Sequence, residues 1–437
     1  MRDIKLLLLL ATISVGACAD DPSGPSGPSG PTPAVLVDHE FGEPPVAGTL
    51  RVVPGPGTVG WRYRIDAIPP ESQVREGPLE SVIAVPYRFD TPGVHRIRVE
   101  LLGPEGSHVV EKPIVIVDPE SDFEILAQRS IDEIWPEREH MAPEGIVMDP
   151  AGRWLYAAIY RSGELVRIDP ERLEAVDRVV LGPQLEGLAV APSGDRLFAI
   201  HKNAGLSVVD LASFATTHFD GFSGFYIVAM DESHALIGGN GVLGRASVDT
   251  REFDWATLSG GAGHFFVFPD GDRVVSVVYY PSSGVPEHSS LEILSLPSLD
   301  PIRSIPLEEF PYPKHVAVDP SGDAMYVFGK DDSGVRFLAL DPATGEVITS
   351  MSVATSGCSS FCVANPVVTF ASGRYIAFEL GGAVMIVDTA LDLPRYRFDL
   401  RDYDYDEPSG VAAHPDSDIL YVLGPLGRLF KIRLRNP

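Results

Sequence analysis

The sequence is short of cysteine, of basic residues and of long apolar runs, and each shortage narrows what the chain can be. Three cysteines stand in 437 residues, at Cys18, Cys358 and Cys362. The last two cannot by themselves complete a tetrahedral zinc site, and their spacing is not the Cys-x-x-Cys of redox proteins. Lysine plus arginine total 34 against 61 for aspartate plus glutamate, a net charge of −27. Such a surface repels phosphate backbones, so nucleic acid is not expected as a partner. After the first residues no apolar run approaches the length of a membrane-spanning helix. Gly-x-Ser-x-Gly and His-Glu-x-x-His are both missing, and neither later cysteine has a catalytic context, so no catalytic residue is assigned. What is present is a 44% hydrophobic content, enough for a substantial core.

The amino terminus has a distinct composition. Arg2 and Lys5 are followed by the apolar run Leu6 to Leu10 and by the small residues Gly16 and Ala17. That run is too short to span a bilayer and has the shape of a signal peptide. Val-Gly-Ala-Cys, ending at Cys18, resembles the lipobox of bacterial lipoproteins. The resemblance implies removal of residues 1–17 and a diacylglyceryl thioether on Cys18, a membrane anchor that does not span. Ala19 in place of aspartate implies transfer to the outer membrane, on its periplasmic or surface face. Pro-Ser-Gly then repeats three times from Pro22. A stretch so poor in apolar side chains cannot offset the entropy of folding, so residues 18–34 read as a disordered tether.

Residues 35–118 carry short runs such as "VHRIRVELL", in which Ile97, Val99 and Leu101 alternate with Arg96, Arg98 and Glu100. A period of two buries one face of a strand and wets the other, so this block reads as a small β-sandwich. "YRFDTPGVHRIRVELLGPEG" resembles the second half of PKD-type immunoglobulin-like domains, although "WRYRIDAI" from Trp61 stands where that family carries its Trp-Asp-Phe signature. The resemblance implies a spacer or adhesive module.

From residue 120 to 437 the chain repeats. "EGIVMDPAGRWLYAAIY" from Glu144, "EGLAVAPSGDRLFAIHK" from Glu186, "HVAVDPSGDAMYVFGK" from His315 and "GVAAHPDSDILYVLGP" from Gly410 share strand, turn and aromatic-bearing strand, and weaker copies begin at Phe225, His264 and Pro366. Each copy continues into a third strand, and all but the last into a fourth. The missing strand has a source upstream, because "LAQRSID" (126–132) looks like the fourth strand "PIRSIPL". An all-β, seven-bladed β-propeller closed by the segment 123–131 satisfies this pattern. The repeat resembles the YVTN family of bacterial propellers, most closely in "VRFLALDPATGEVITSMSV" (335–353), and the resemblance implies an exported binding protein. The four tryptophans, Trp61, Trp135, Trp154 and Trp255, lack the period of tryptophan-docking quinone propellers.

Aligning the copies places Glu144, Glu186, Phe225, Gly263, Lys314, Asn365 and Ser409 just before the innermost strands, at the mouth of an axial channel, with His264 and His315 one residue on. Glu144, Glu186, His264, Lys314, His315 and Asn365 are therefore the candidate binding residues. Oxygen and imidazole donors on one axis suit a cation, so Glu144 and Glu186 are also weak metal candidates. "PEGIVMDP" resembles the opening of gluconolactonase-like propellers, which implies an axial metal and hydrolysis of a lactone or ester. Lys314 opposes that reading with a positive charge in the same ring. Asp402, Asp404 and Asp406 alternate like the first ligands of a Ca²⁺ loop, but the glycine and glutamate that such a loop next requires are absent. No cofactor is assigned; Ca²⁺ is the one these residues suggest.

"GNGVLG" from Gly239 has dinucleotide-type spacing but joins two strands, so it reads as a hairpin. Cys358 and Cys362, in an exported chain, suggest a small disulfide ring, with free thiols as the alternative. "YYPSSGVPEHSS" (279–290) is longer than the matching hairpin connections, which makes Tyr279, Tyr280 and His288 candidates for partner contact or an inert insertion. The expected whole is a lipid-anchored envelope protein whose propeller binds a protein, peptide or glycan, with the axial-metal hydrolase as the alternative.

Overall fold

The computed structural model describes residues 34–37, 40–42, 44–53, 60–66, 75–78, 83–103, 106–117, 122–130, 143–160, 162–221, 224–239, 241–282, 285–307, 310, 312–331, 334–353, 367–370, 373–380, 383–399, 410–424 and 428–435. The chain divides into two compact units, Met1–Ile116 and Val117–Pro437. Cys18, Cys358, Cys362, Asn365, Asp402, Asp404, Asp406 and Ser409 lie outside the described residues.

In the first unit, two sheets share one core. A three-stranded sheet orders Ala34–Val37, Val46–Val53 and Ile83–Phe89, and a five-stranded sheet orders Phe41–Gly42, Gly106–Ile116, Gly93–Gly103, Gly60–Asp66 and Arg75–Pro78. Ile97, Val99 and Leu101 are buried together with Leu50, Val52 and Phe89 of the other sheet, while Arg96 and Arg98 are exposed. The alternation in the sequence is thus the inner and outer face of a two-sheet sandwich.

The second unit is all-β and consists of seven four-stranded antiparallel sheets, the blades of a β-propeller. Blade one is Pro143–Met148, Leu155–Ile159, Glu164–Asp169 and Glu174–Val180; blade two is Leu185–Val190, Arg196–His201, Gly205–Asp210 and Thr216–Phe219. Blade three is Tyr226–Ala229, His234–Gly239, Val242–Ser247 and Glu252–Trp255; blade four is Gly261–Val267, Arg273–Ser282, Val285–Ser295 and Pro301–Pro306. Blade five is Tyr312–Val318, Met325–Asp331, Gly334–Leu340 and Val347–Val353; blade six is Val368–Phe370, Tyr375–Leu380, Ala383–Asp388 and Leu393–Asp399. Blade seven joins Gly410–Ala413, Ile419–Leu423 and Arg428–Leu434 to Phe123–Ser130, which runs antiparallel to the last of them from Phe123↔Leu434 to Ser130↔Arg428.

Burial follows position within a blade. Leu155–Ile159 and Ala383–Asp388 are buried at every residue because both faces meet neighbouring blades, whereas the outermost strand Glu174–Val180 is largely exposed. The aromatic residue of the repeat accounts for several of these contacts. Tyr156, Tyr326, Tyr375 and Tyr421 are fully buried. The Tyr326 hydroxyl donates to Asp392 of blade six at 2.7 Å, and Tyr421 reaches the Pro170 carbonyl of blade one at 3.5 Å. Lys431 of blade seven, 6% exposed, donates to Glu171 of blade one at 2.8 Å, so side chains as well as strands tie the last blade to the first.

Candidate functional site

The innermost strands share an irregularity that determines where their side chains go. In blade one the ladder passes from Pro143↔Ile159 to Gly145↔Ala158, leaving Glu144 as an extra residue. Blade two passes from Leu185↔His201 to Gly187↔Ile200, leaving Glu186. Blade five passes from Pro313↔Gly329 to His315↔Phe328, leaving Lys314. In blade four, Gly263 and His264 together oppose Val277. A β-bulge of this kind turns its extra side chain away from the regular alternation. Glu144, Glu186, Gly263 and Lys314 therefore sit at bulges within the innermost strands, whereas Phe225 stands directly before Tyr226–Ala229.

A glycine after the bulge allows the blades to close up. A Cβ on Gly187 would lie 2.8 Å from the Phe225 carbonyl oxygen and 3.0 Å from Ile200. The Glu-Gly pair thus combines a displaced carboxylate with a close backbone approach.

A cavity of about 220 Å³ lies against these strands. Its wall includes Ile146 of blade one, Leu188 of blade two, Tyr226 and Ile227 of blade three, and Val367, which precedes the first strand of blade six. Besides the Tyr226 phenol, a carboxyl and an imidazole line it, those of Glu186 and His264. Glu186 is 7% exposed, and its Oε1 lies 3.6 Å from Nζ of Lys202. Burial raises the carboxyl above the ordinary range, and the ammonium partly restores it. Lys202 also lies 5.2 Å over the Phe225 ring. It occupies this place because His201 pairs with Leu185, which brings the end of the second strand beside Glu186.

His264 is 4% exposed and accepts the Val316 N–H at its Nδ1, 3.3 Å away. A backbone amide can only donate, so the proton of the neutral ring is on Nε2. The ring meets Tyr226 edge-on at 5.0 Å and His315 at 5.1 Å. Burial, then His315, holds its basicity well below the usual range. His315 is 5% exposed and its Nδ1 is buried with no hydrogen-bond partner among the described residues; burial and Lys314 lower it to about 4. Lys314 itself is half-buried and made less basic by burial.

The other candidates fall elsewhere. The Glu144 backbone is in blade one, and its side chain is outside the described residues. The stretch 279–290 is not a loop: its two strands continue to Ser282 and Val285, with Tyr280 opposite His288, as an extended β-ribbon. The Tyr280 and His288 side chains are outside the described residues. Tyr279 donates its hydroxyl to the Pro313 carbonyl, and its ring lies 2.6 Å from where a Cβ on Gly263 would be. Its hydroxyl thus joins blade four to blade five.

Donor chemistry tests the implied axial metal. Among the described residues no group of three or more His, Cys, Asp and Glu side chains could hold a metal ion. Glu186 is already paired with an ammonium, and Lys314 places a second at an equivalent bulge. The described donors do not fit a Ca²⁺ or Zn²⁺ centre.

The sequence reading missed Lys202, and it missed a polar chain within blade two that reaches the connection from blade one. His201 donates from Nδ1 to the Pro183 carbonyl at 3.0 Å. Its Nε2 therefore accepts from Ser207 at 2.9 Å, and Ser207 accepts from His218 Nδ1 at 3.1 Å. Ser207 is 1% exposed, closed to any substrate, so this chain is a structural hydrogen-bond network that ties blade two to the connection before it.

No family model and no curated protein matches the chain. Among solved structures it is similar to hydrazine synthase of Kuenenia stuttgartiensis, with a TM-score of 0.58 and 16% identity over 69% of this chain and 97% of that one. It is also similar to the β-propeller domain of Cps50 (Swd1) from Myceliophteria thermophila, with a TM-score of 0.54 and 11% identity over 71% of this chain and 100% of that one. At such identities the likeness shows the propeller fold alone.

Proposed function

We propose that the chain is a cell-envelope lipoprotein whose propeller is a binding module for a protein, peptide or glycan. Lipid on Cys18 anchors it, residues 18–34 form the tether, and an Ig-like domain over 35–118 spaces the propeller from an outer-membrane surface. The observation that carries the binding role is the axial cavity, where Glu186 and His264 present polar groups within an apolar wall on a rigid ring. Pockets of this composition fix the orientation of a ligand with a few polar atoms and bind it with the rest. The metal-dependent hydrolase is not favoured, because the charge beside Glu186 is the Lys202 ammonium.

Two experiments test the two halves of the reading. Expressed in a bacterial host, the protein partitions into detergent and gains the mass of a lipid anchor, whereas Cys18→Ser stays aqueous and gains none; equal partitioning removes the anchor. Labelled protein on mixed peptide and glycan arrays gives discrete signals that Leu188→Trp, which fills the cavity, reduces about tenfold or more. Signals that survive this substitution place binding elsewhere.

A further inference from the structure

The contents of the cavity narrow the ligand, an inference that rests on the cavity being the binding site. Glu186 brings a carboxylate, which accepts hydrogen bonds, and His264 brings an Nε2–H as the ring's remaining donor, its Nδ1 being engaged by Val316. An anionic ligand meets the Glu186 carboxylate in a largely apolar site, while a cationic one competes with Lys202, which is already paired with that carboxylate at 3.6 Å. A purely apolar ligand would strip water from the carboxylate and the imidazole and replace it with nothing, at about 1–3 kcal/mol for each group. The complementary molecule is neutral and carries donors and acceptors on a compact apolar frame. Size sets a second limit, since an apolar cavity of about 150 Å³ holds benzene. A cavity of about 220 Å³ has room for one six-membered ring with its substituents.

We propose that the axial cavity binds one neutral sugar residue, whose hydroxyls donate to Glu186 and accept from His264 Nε2 while its C–H surface packs on Leu188, Ile227 and Tyr226. Hydroxyls suit both polar groups at once, because each can donate and accept.

The test is calorimetric titration of the full-length protein, in a sugar-free detergent, with the methyl glycosides of glucose, galactose and mannose and with N-acetylglucosamine. At least one saturates with a Kd of about 1 mM. Its uronic-acid and amino-sugar counterparts bind about tenfold or more weakly to the unaltered protein. Glu186→Gln, nearly isosteric, and His264→Phe each weaken the best neutral sugar by about tenfold. Failure of every sugar, or equal or tighter binding of the charged counterparts, overturns the proposal. A blocked neutral dipeptide is the other arm. If it alone binds, and Leu188→Trp abolishes that binding, the sugar is wrong and the cavity stands; if Leu188→Trp leaves binding unchanged, the cavity reading falls as well.

Discussion

Replacing Phe123 with alanine is expected to lower the unfolding free energy of the propeller by about 3–5 kcal/mol. Phe123 begins the strand that completes blade seven and is opposite Leu434, three residues from the end of the chain. It is 4% exposed, and its ring meets Tyr396 at 6.4 Å and Phe398 at 5.5 Å, both on blade six and both edge-on. One side chain from upstream of the first blade is therefore part of the core between the last two, so its loss opens a cavity at the point where the ring closes. Ile125, on the same strand and also paired with Arg428–Leu434, is 37% exposed and supplies the control. Ile125→Ala should cost well under half as much, because its side chain already meets water. Urea unfolding of the two variants decides. Equal midpoints would mean that the closing strand contributes its ladder alone and that the packing of Phe123 adds nothing.

The propeller was legible because its repeat combines two local signals, apolar strands and turns of the Asp-Pro-x-Gly type, at a spacing that recurs down the chain. Within that pattern the mouth residues could be aligned, but their setting could not be seen. A strand shows itself by alternation, and a bulge adds one residue that breaks it, so Glu186 and Lys314 looked as if they stood ahead of strands that in fact contain them. Lys202 was hidden for another reason. Its approach to Glu186 depends on the pairing of Leu185 with His201, sixteen positions apart in the sequence, and only the register of the hairpin reveals it. The stretch 279–290 was taken for a long connection because of its length, and its prolines do not exclude the ribbon it forms. Pro281 and Pro286 would interrupt a strand held on both sides, yet the first strand of blade four pairs no further than Tyr279 and the last no further than Ser290. Beyond those residues the two ribbon strands pair with each other alone, and a proline there disrupts no ladder to a third strand. The signals from Cys18, Cys358, Cys362 and the Asp402–Asp406 run concern residues outside the described ones, so those readings remain sequence expectations.

Stability should fall steeply as pH drops from 7.5 to 4.5, and His315 should account for about 2–3 kcal/mol of the loss. The ring is 5% exposed, its Nδ1 has no partner among the described residues, and burial together with Lys314 lowers its basicity from 6.5 to about 4. Unfolding frees the imidazole to take up a proton below about pH 6.5, which the folded protein resists until about pH 4. Between those values the unfolded chain binds more protons, so stability is fully present above the upper one and is lost as pH falls toward the lower. His264, pushed down by burial and by His315 itself, and His201, pushed down by burial, act in the same direction. Glu186 and Glu292 act in the opposite one: burial raises both carboxyls, so the folded state binds more protons just above 4.5 and acidification there favours it. The groups packed on the histidine pair do not supply a counter-charge, since Tyr226 meets His264 and Lys314 adjoins His315. His315→Leu removes the uncompensated nitrogen while keeping an apolar side chain of similar size. Urea midpoints of the natural protein and this variant at pH 7.5 and 4.5 separate the contributions. The variant should lose about 2–3 kcal/mol less on acidification, and an identical loss would show that His315 is protonated in the folded state well above pH 4.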